Sequence, residues 1–559
     1  MMDTQRLILI LVFSFSLLML WEAWQKENRP QPPAPSSQAP LAVPSPGQPA
    51  GTPAAVPAPA VSTPGAQAVP GPAPAPAKGE RIQVRTDLIA VEIDTLGGTI
   101  KRLDLLRHKA SDDQTKTFSL LTEAHRYEAQ SGLAGDLGAN HRVLWSASPG
   151  ERTLDTGQEA LEVRLSAKAA NGLTVSKIYT FRRNSYVIDV ALEVKNEGAV
   201  PVAPRAYFQL SHDGQHEKHG SSLADTFGAQ SFFGFAVFTE GKKFQKVPIS
   251  DIDKGKTDFV RQAKDGWIGF IQHYFVTAWL PVAPQDREYE IVAPEKGYYA
   301  GRVVVPMAAI PPGATGRVAV PIYAGPQEQR RLSAAAPGLD YAVDYGWLSI
   351  IAWPLFWILE QFHALSGNWG VAIILLTVLI KLVFFPLSAA SYKSMAKMKL
   401  ITPRLTKLRE MYAHDRNKMN QAMMELYKTE KINPLGGCFP ILVQIPVFIA
   451  LYWVLLAAIE LRHAPFVLWI KDLSALDPFY VLPILMTATM VLQTRMNPVP
   501  PDPVQAQVMK FMPYIFSIFF FFFPAGLVLY WLVNNILSIL QQWQIQRMFN
   551  RDKPAHGKR

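Results

Sequence analysis

The amino-acid sequence predicts a polytopic α-helical membrane protein with six spans, a five-helix core and a large external β-sandwich domain. Three observations predict this fold class. Hydrophobic residues make up 49% of the chain, and they are concentrated near the N-terminus and in the last third. Alternating and β-branched stretches recur between turn signals in the polar middle. The formal net charge of +10 equals +6 over residues 388–437 plus +4 over residues 547–559, and the positive-inside rule places both segments in the cytoplasm.

The N-terminal region predicts a membrane anchor followed by a tether. Residues 1–6 form a short cytoplasmic N-terminus, and residues 7–24 are an apolar run. The sequence after this run, WEAWQKENRP, contains no A-x-A cleavage site, so we interpret the run as an uncleaved signal-anchor helix. Residues 25–78 are rich in proline and alanine, have little to bury and favour extended polyproline II geometry.

Residues 79–325 predict one external β domain. Strand-like runs occur at 88–105, 173–198 and 298–320, and glycine-containing turns end them. A β-sandwich is the architecture that such runs favour. The domain has no nucleophile-elbow motif, no phosphate-binding glycine loop and no zinc-type cysteine pair. The single cysteine of the chain, Cys438, excludes an internal disulfide framework.

One histidine cluster in the β domain, SHDGQHEKHG, has two interpretations. His212, His216 and His219 occur with Asp213 and Glu217, and such a group has the chemistry to bind a divalent metal. The flanking glycines instead indicate a mobile loop. We assign no metal site and no cofactor to it.

A connector at residues 326–346 leads to an amphipathic segment at residues 347–365. The segment contains three tryptophans and ends in polar residues. Tryptophan prefers the membrane–water interface, so we expect a helix that lies in the outer interface rather than a span.

Residues 369–387 predict the second transmembrane helix. These nineteen residues reach about 28 Å, enough to cross the hydrocarbon core. The segment contains Lys381 and no acidic residue, and a charge at that depth costs about 2.5–3.5 kcal/mol. Thr377 and Ser388 lie on the same helical stripe. Lys381 therefore either extends its ammonium to the nearer headgroups or faces a hydrated cavity.

Residues 388–437 predict a basic cytoplasmic helical hairpin, with a merely solvated charged loop as the alternative. Apolar residues recur at spacings of three and four, as in a short heptad seam. They are Met398, Ile401, Leu405, Leu408 and Tyr412 on one helix and Met419, Met423 and Leu426 on the other. We expect the first helix to restart at Thr402-Pro403, with Thr402 as its N-cap.

Four further apolar segments complete the core. They are predicted as transmembrane helices at residues 438–461, 479–494, 511–523 and 526–546, with a cytoplasmic loop at 495–510 and a basic cytoplasmic tail at 547–559. The two middle segments are near the lower length limit for a span.

Polar residues recur on these spans at helical spacing. Asn534 and Ser538 share a face of the last helix, Thr489 and Gln493 are four residues apart, and Gln444 lies between two prolines. Such residues often act as hydrogen-bonding contacts between helices. A lysine together with polar stripes on several helices favours a hydrated cavity that faces the cytoplasm.

Four segments resemble a known family over about residues 345–550. They are YKSMAKMK (392–399), EKINPLGGCFPILVQIPVF (430–448), APFVLWIKDLSALDPFYVLPILM (464–486) and FPAGLVLYWLVNNILSILQQWQI (523–545). In order and spacing they resemble the YidC membrane protein insertases of Gram-negative bacteria, of the YidC/Oxa/Alb family. The predicted anchor, tether and external β domain also fit that family's architecture.

The resemblance implies a five-helix core around a hydrophilic groove that is open to the cytoplasm and lipid and closed on the outer side. It implies an insertase and chaperone of inner-membrane proteins, acting alone or with the Sec translocon, without a cofactor and not as an enzyme. The family's groove charge is usually arginine, and the matching residue here is Lys381. Its substrate-contacting positions match Thr377, Gln444, Tyr530 and Trp531.

The resemblance also implies partners. These are nascent membrane-protein substrates, the Sec translocon, the ribosome and the signal-recognition receptor, with no DNA among them. The hairpin would receive the substrate or targeting factors, and the tail would contact ribosomal RNA or anionic lipid. The basic hairpin residues are Lys393, Lys397, Lys399, Arg404, Lys407 and Arg409.

Two other functions remain open from the residues alone. Polar stripes could line the path of a solute transporter or channel, although the apolar outer halves of the spans argue against it. The β domain could instead belong to a membrane-anchored periplasmic enzyme that acts on glycans. Deletion of residues 80–325 would abolish function only in that second case.

Overall fold

The computed structural model describes residues 79–110, 113, 115–135, 137–215, 232–412, 415–430, 439–497 and 503–551. The predicted signal anchor, the tether, His216 and His219 lie outside these residues, as does most of the basic tail. The chain divides into two compact units. Every contact described below lies within the unit that comprises Gln67–Pro498 and Pro513–Arg559.

The first layer of the β domain is a nine-stranded antiparallel sheet. Its order is β1-β2-β3-β5-β10-β17-β16-β13, and β4 pairs with β3. The strands are β1 Arg81–Arg85, β2 Ile89–Asp94, β3 Thr99–Lys109, β4 Thr117–Leu121, β5 Glu128–Leu133, β10 Arg205–His212, β13 Gln262–Ala263, β16 Arg287–Glu295 and β17 Tyr298–Pro306.

The second layer is a ten-stranded antiparallel sheet. Its order is β12-β11-β14-β15-β19-β9-β8-β7-β6, and β18 pairs with β9. The strands are β6 Ser146–Ala147, β7 Ala160–Lys168, β8 Leu173–Arg182, β9 Val187–Asn196, β11 Gly234–Thr239, β12 Lys243–Pro248, β14 Trp267–Ile271, β15 Phe275–Trp279, β18 Thr315–Ala319 and β19 Ile322–Pro326.

Sequence alternation determines which face of each strand is buried. Along β7, buried residues alternate with residues that are at least partly exposed, as expected for a strand with one face on the core. The β8–β9 hairpin pairs Phe181 with Ile188, and Asn184 occupies the left-handed region at φ 53° in its turn. Asparagine tolerates this conformation better than most residues.

The core of the β domain lies between the two sheets and is rich in aromatic rings. Phe208 of β10 contacts Trp279 of β15 with ring centroids 5.2 Å apart. Gly301 on β17 faces Phe235 on β11, and a Cβ at this glycine would lie 2.4 Å from the phenyl ring. The sheets therefore pack face to face, which confirms the predicted β-sandwich.

The helices are mostly in the last third of the chain. They are α1 Ile249–Asp253, α2 Gln329–Ala335, α3 Ser349–Ser366, α4 Trp369–Val383, α5 Phe385–Met411, α6 Arg416–Thr429, α7 Phe439–Ala457, α8 Val481–Met496, α9 Pro503–Phe520 and α10 Ala525–Arg551. Helix α9 begins within the region predicted as the 495–510 loop. Helix α3 matches the predicted amphipathic segment to within two residues at either end, and it leaves Ile350 and Trp357 exposed.

The predicted second span is broken near its end. Helix α4 ends at Val383, α5 begins at Phe385, and the two helices are bent by 66°. Pro386 in the first turn of α5 has no backbone N–H to donate to the carbonyl one turn earlier, and its ring crowds that carbonyl, which accounts for a break here. Within the described residues, no single helix is both long and apolar enough to cross a bilayer, whereas α4 and α5 together reach that threshold.

Helices α5 and α6 pack against each other. Ile401 and Leu405 are buried against Met398, Met423 and Leu426, which all belong to the predicted seam, and against Tyr427. The predicted restart at Thr402-Pro403 is wrong, because α5 continues through Pro403. The Thr402 hydroxyl does not cap a helix, since it donates a hydrogen bond to the Met398 carbonyl one turn earlier (3.0 Å).

Candidate hydrophilic groove

Helices α4 and α10 both begin beside the same loop, the one that connects α7 to α8, and their first residues are hydrogen-bonded to it. The Asn368 side chain accepts a hydrogen bond from Val371 N (3.1 Å) as the N-cap of α4, and its Nδ2 donates to the Phe466 carbonyl (2.9 Å). At the start of α10, Gly526 N donates to the Leu473 carbonyl (2.8 Å). The two helices therefore start side by side.

Because the two helices start side by side, Lys381 of α4 and Ser538 of α10 lie at the same distance along them. Lys381 follows Trp369 by twelve residues, and Ser538 follows Gly526 by twelve, so each lies about 18 Å along its helix. Lys381 Nζ donates a hydrogen bond to Ser538 Oγ at 2.7 Å. Both side chains are buried, with 6% and 5% of their surface exposed. Lys381 thus extends into the protein and not to a headgroup region.

Lys381 and Ser538 line a cavity of about 260 Å³. Helices α4, α5, α7, α8 and α10 supply its walls, together with the residue after α8. The lining residues are Lys381, Ser388, Ser391, Tyr392, Met395, Gln444, Ile445, Phe448, Gln493, Asn497, Tyr530, Trp531, Asn534, Asn535 and Ser538. None of these lining residues is acidic, so the ammonium is the one formal charge among them.

Hydrogen bonds fix the polar wall of the cavity. The Ser538 hydroxyl donates to the Asn534 carbonyl (2.7 Å), and Gln444 Nε2 donates to Asn534 Oδ1 (3.0 Å). Near the end of α8, Gln542 Nε2 donates to Asn497 Oδ1 (3.1 Å). These bonds join α7, α8 and α10 through side chains that also leave polar atoms available to water or a ligand.

Three aromatic residues, Phe448, Tyr530 and Trp531, form an aromatic wall of the same cavity. Phe448 lies 4.4 Å from Trp531 and 6.1 Å from Tyr530, measured between ring centroids. A cavity lined by both polar and aromatic side chains can accept a segment that is itself partly polar and partly apolar.

Comparison with known proteins finds related sequences over nearly the whole chain. Residues 81–358 match the model of the YidC periplasmic domain, and residues 361–553 match that of the 60Kd inner membrane protein family. A membrane protein insertase YidC of Aromatoleum aromaticum is 51% identical over 554 residues, which cover 99% of both chains. The chain belongs to the YidC family of membrane protein insertases. The YidC relative from Methylobacillus flagellatus is 51% identical over 98% of both chains.

Among solved structures, an active YidC insertase with its first transmembrane domain resolved matches 83% of this chain and 94% of its own. The identity is 16% and the TM-score is 0.37. YidC proteins are insertases of the inner membrane with a periplasmic domain, and not enzymes. The alternatives of a solute transporter and of a glycan-acting enzyme are therefore set aside.

Seven of the nine predicted groove residues line the cavity of this YidC-family chain. Thr377 and Thr489 do not. Thr377 is fully buried and donates to the Ile373 carbonyl (2.7 Å), and Thr489 donates to the Met486 carbonyl (2.8 Å). A threonine hydroxyl in a helix can bond to the backbone of the preceding turn, so helical spacing alone does not show that it faces a cavity.

The six basic hairpin residues lie outside the cavity. Lys397 and Arg409 are half-buried, and the other four are exposed. Arg404 donates to Glu430 Oε1 (2.6 Å), which joins the end of the second hairpin helix to the first. An exposed basic surface is therefore separate from the buried cation of the groove.

Sequence reasoning missed the contribution of the hairpin helix to the groove. Ser391, Tyr392 and Met395 of α5 line the cavity together with Ser388. Their spacing of three, four and seven residues is that of one helical face, and it was the signal that could have identified them. The basic residues that alternate with them obscured it.

The first histidine of the cluster has a structural role in the β domain. His212 is buried in the β domain, where its ring stacks on Phe270 at 4.4 Å and Nδ1 accepts a hydrogen bond from Gly214 N (2.9 Å). In the part of the chain that the structure describes, no three or more His, Cys, Asp or Glu side chains are grouped so that they could hold a metal ion.

Proposed function

We propose that this chain inserts membrane proteins by giving the polar flank of a substrate a hydrated route through the cavity around Lys381. The proposal is based on one observation: a buried ammonium lines a cavity of about 260 Å³ whose other lining residues are neutral. A cation without an acidic neighbour in its own cavity attracts an acidic group from outside.

The mechanism is physical and forms no bond. A charged side chain costs about 2.5–3.5 kcal/mol at the bilayer centre, and a hydrated groove shortens the apolar distance that it must cross. Lys381 attracts acidic residues of the flank, while short helices thin the bilayer locally. The apolar segment of the substrate then moves between helices into lipid, past the aromatic wall of the groove.

The proposed topology has six spans, with both termini in the cytoplasm and the β domain in the periplasm. The spans are residues 7–24, 369–387, 438–461, 479–494, 511–523 and 526–546, with α3 in the outer interface. The positive charge of residues 388–437 and 547–559 supports this orientation. The groove opens to the cytoplasm, because Lys381 lies past the midpoint of a helix that runs from outside to inside.

Partners follow from the same topology. The exposed basic residues of the hairpin and the basic tail support contacts with the ribosome, the signal-recognition receptor and anionic lipids. We further propose cooperation with the Sec translocon for larger substrates, as the resemblance to YidC insertases implies.

The test is insertion of a single-span substrate with an acidic external tail in cells depleted of their own insertase. Lys381 is compared with Lys381→Arg, Lys381→Gln and Lys381→Glu. Lys471→Gln is the matched control, because Lys471 is an exposed lysine in the loop between α7 and α8, outside both the cavity and the basic hairpin. We expect Arg to support insertion, Gln and Glu to fail, and the control to behave as wild type.

Two outcomes would contradict the mechanism in different ways. If Lys381→Gln inserts normally, hydration and bilayer thinning suffice and the electrostatic step is wrong. If Lys381→Glu also inserts normally, the charge at this position has no part in insertion.

A further inference from the structure

We propose that Ser538 is a positioning residue that holds the Lys381 ammonium in place for acidic substrates. The Ser538 hydroxyl donates its proton to the Asn534 carbonyl at 2.7 Å, so its lone pairs are directed elsewhere. One of them accepts the hydrogen bond from Lys381 Nζ, also at 2.7 Å. The bond to the backbone therefore fixes the hydroxyl as an acceptor for the lysine.

A lysine needs such an anchor more than an arginine does. Its ammonium is a point charge on a flexible four-carbon stem, whereas a guanidinium is a rigid planar fork. One hydrogen bond to a buried hydroxyl removes much of the rotamer freedom of the stem. The ammonium is then held in the wall of the cavity, where a substrate carboxylate would meet it.

This inference rests on the proposed function, and the substrate class is a transmembrane segment with an acidic polar flank. The experiment compares two otherwise identical single-span substrates, one with an acidic tail and one with a neutral tail, in insertase-depleted cells. The variants are Ser538→Ala, Ser538→Thr and Lys381→Gln, and the double variant of Ser538→Ala with Lys381→Gln. Ser517→Ala is the matched control, since Ser517 is equally buried and bonds to its own helix but does not line the cavity.

We expect Ser538→Ala to lower insertion of the acidic substrate at least about tenfold, the lower end for losing one hydrogen bond to a charged group. Insertion of the neutral substrate should not change. Ser538→Thr should restore insertion, because it keeps the hydroxyl. The double variant should be no worse than Lys381→Gln alone, since the serine acts through the lysine.

The outcomes separate the two proposals. If Lys381→Gln selectively impairs the acidic substrate while Ser538→Ala does not, the positioning role is wrong and the proposed function stands. Equal loss with both substrates in Ser538→Ala would show a structural role and would also overturn the inference. If Lys381→Gln has no effect, the electrostatic step of the proposed function fails first.

Discussion

Two buried lysines are held by neutral oxygens in different parts of the molecule. Lys381 bonds to a hydroxyl in the groove, whereas Lys177, in the β domain, donates to the carbonyls of Gly97 and Ser131 (2.8 Å each) and of Gly98 (3.1 Å). Three carbonyls match the three N–H groups of an ammonium. Lys177 thereby connects β8 of one sheet to β5 of the other, so its role is structural.

Replacement of Lys177 by methionine should destabilise the β domain. The methionine fills a similar volume but leaves the buried carbonyls of Gly97 and Ser131 without this donor, whereas the Gly98 carbonyl keeps the hydrogen bond from the Tyr179 hydroxyl. Each unsatisfied group costs about 1–3 kcal/mol, so we expect a loss of at least about 2 kcal/mol of unfolding free energy, measured by pulse proteolysis in urea. A stability equal to wild type would contradict the structural role.

Two buried histidines should make the fold sensitive to acid. Burial, aided by the charge of neighbouring Arg462, lowers the pKa of His108 to about 4, and burial lowers the pKa of His141 to about 3. Between about pH 4 and 6.5 the unfolded chain binds more protons at both sites, so stability is present above that window and falls as the pH drops through it.

We therefore expect the unfolding free energy to fall by roughly 1.4 kcal/mol per pH unit for each histidine below about pH 6. Urea-induced unfolding of the full chain at pH 7.5 and pH 5.0 measures this. A variant carrying His108→Gln and His141→Gln should show a flatter pH profile. An unchanged profile in that variant would assign the acid sensitivity to other groups.

At the scale of single elements, periodicity predicted the sandwich and the apolar helices because burial of one face determines both. It did not predict the break between α4 and α5, where an apolar run continues across Phe384 while backbone geometry at Pro386 ends the helix. The predicted start of a new helix at Pro403 was wrong, because a proline within a helix is tolerated when packing on both sides maintains the helix.

The residues of the candidate groove were only partly predictable, because the sequence shows which residues are polar but not which of them face the cavity. A lysine and polar residues in apolar segments identified five lining residues, because burying polar atoms requires partners. The resemblance to the YidC family added Tyr530 and Trp531. Which polar residue faces the cavity depends on side-chain rotation and on local bonds to the backbone, as with Thr377. Spacing does not contain that information.

The hairpin provides a prediction about one element. Leu405 is buried with 1% of its surface exposed, and its replacement by alanine should cost about 2 kcal/mol, the lower end for a core leucine because the cluster is small. Amide hydrogen exchange in α6 should accelerate about 30-fold. Leu400→Ala is the matched control, since Leu400 is 50% exposed. Unchanged exchange in Leu405→Ala would show that the two helices do not support each other.

Within the whole molecule, the β domain contacts the helical core at the end of α7 and in the loop that follows it. His273 in the β14–β15 turn lies 3.0 Å from the Leu456 carbonyl at the end of α7. Arg462 donates to the Lys109 carbonyl at 2.6 Å, and its guanidinium lies over the ring of Phe118 at 5.5 Å. These contacts join the domain to the loop that also positions α4 and α10.

Deletion of residues 80–325 should nevertheless leave insertion of a single-span substrate largely intact. All residues that line the groove follow residue 380, and the loop contacts that anchor α4 and α10 involve only residues after 367. Complementation of insertase-depleted cells with the deleted chain measures this. Complete loss of insertion, with the truncated protein present at normal amounts in the membrane, would place an essential step in the β domain.

The proposed insertion route requires the cavity around Lys381 to be hydrated and open to the cytoplasm. The direct measurement is labelling of introduced cysteines with a membrane-impermeant, charged thiol reagent, after Cys438→Ser removes the native thiol. Asn534→Cys and Gln493→Cys probe the cavity wall, and Ile536→Cys, on the exposed apolar surface of the same helix as Asn534, is the matched control.

We expect rapid labelling at both cavity positions from the cytoplasmic side only, and slow labelling at Ile536→Cys from either side. Labelling of the cavity positions from the periplasmic side would indicate a continuous channel. No labelling from either side would contradict a hydrated groove, and with it the proposed route for the polar flank of a substrate.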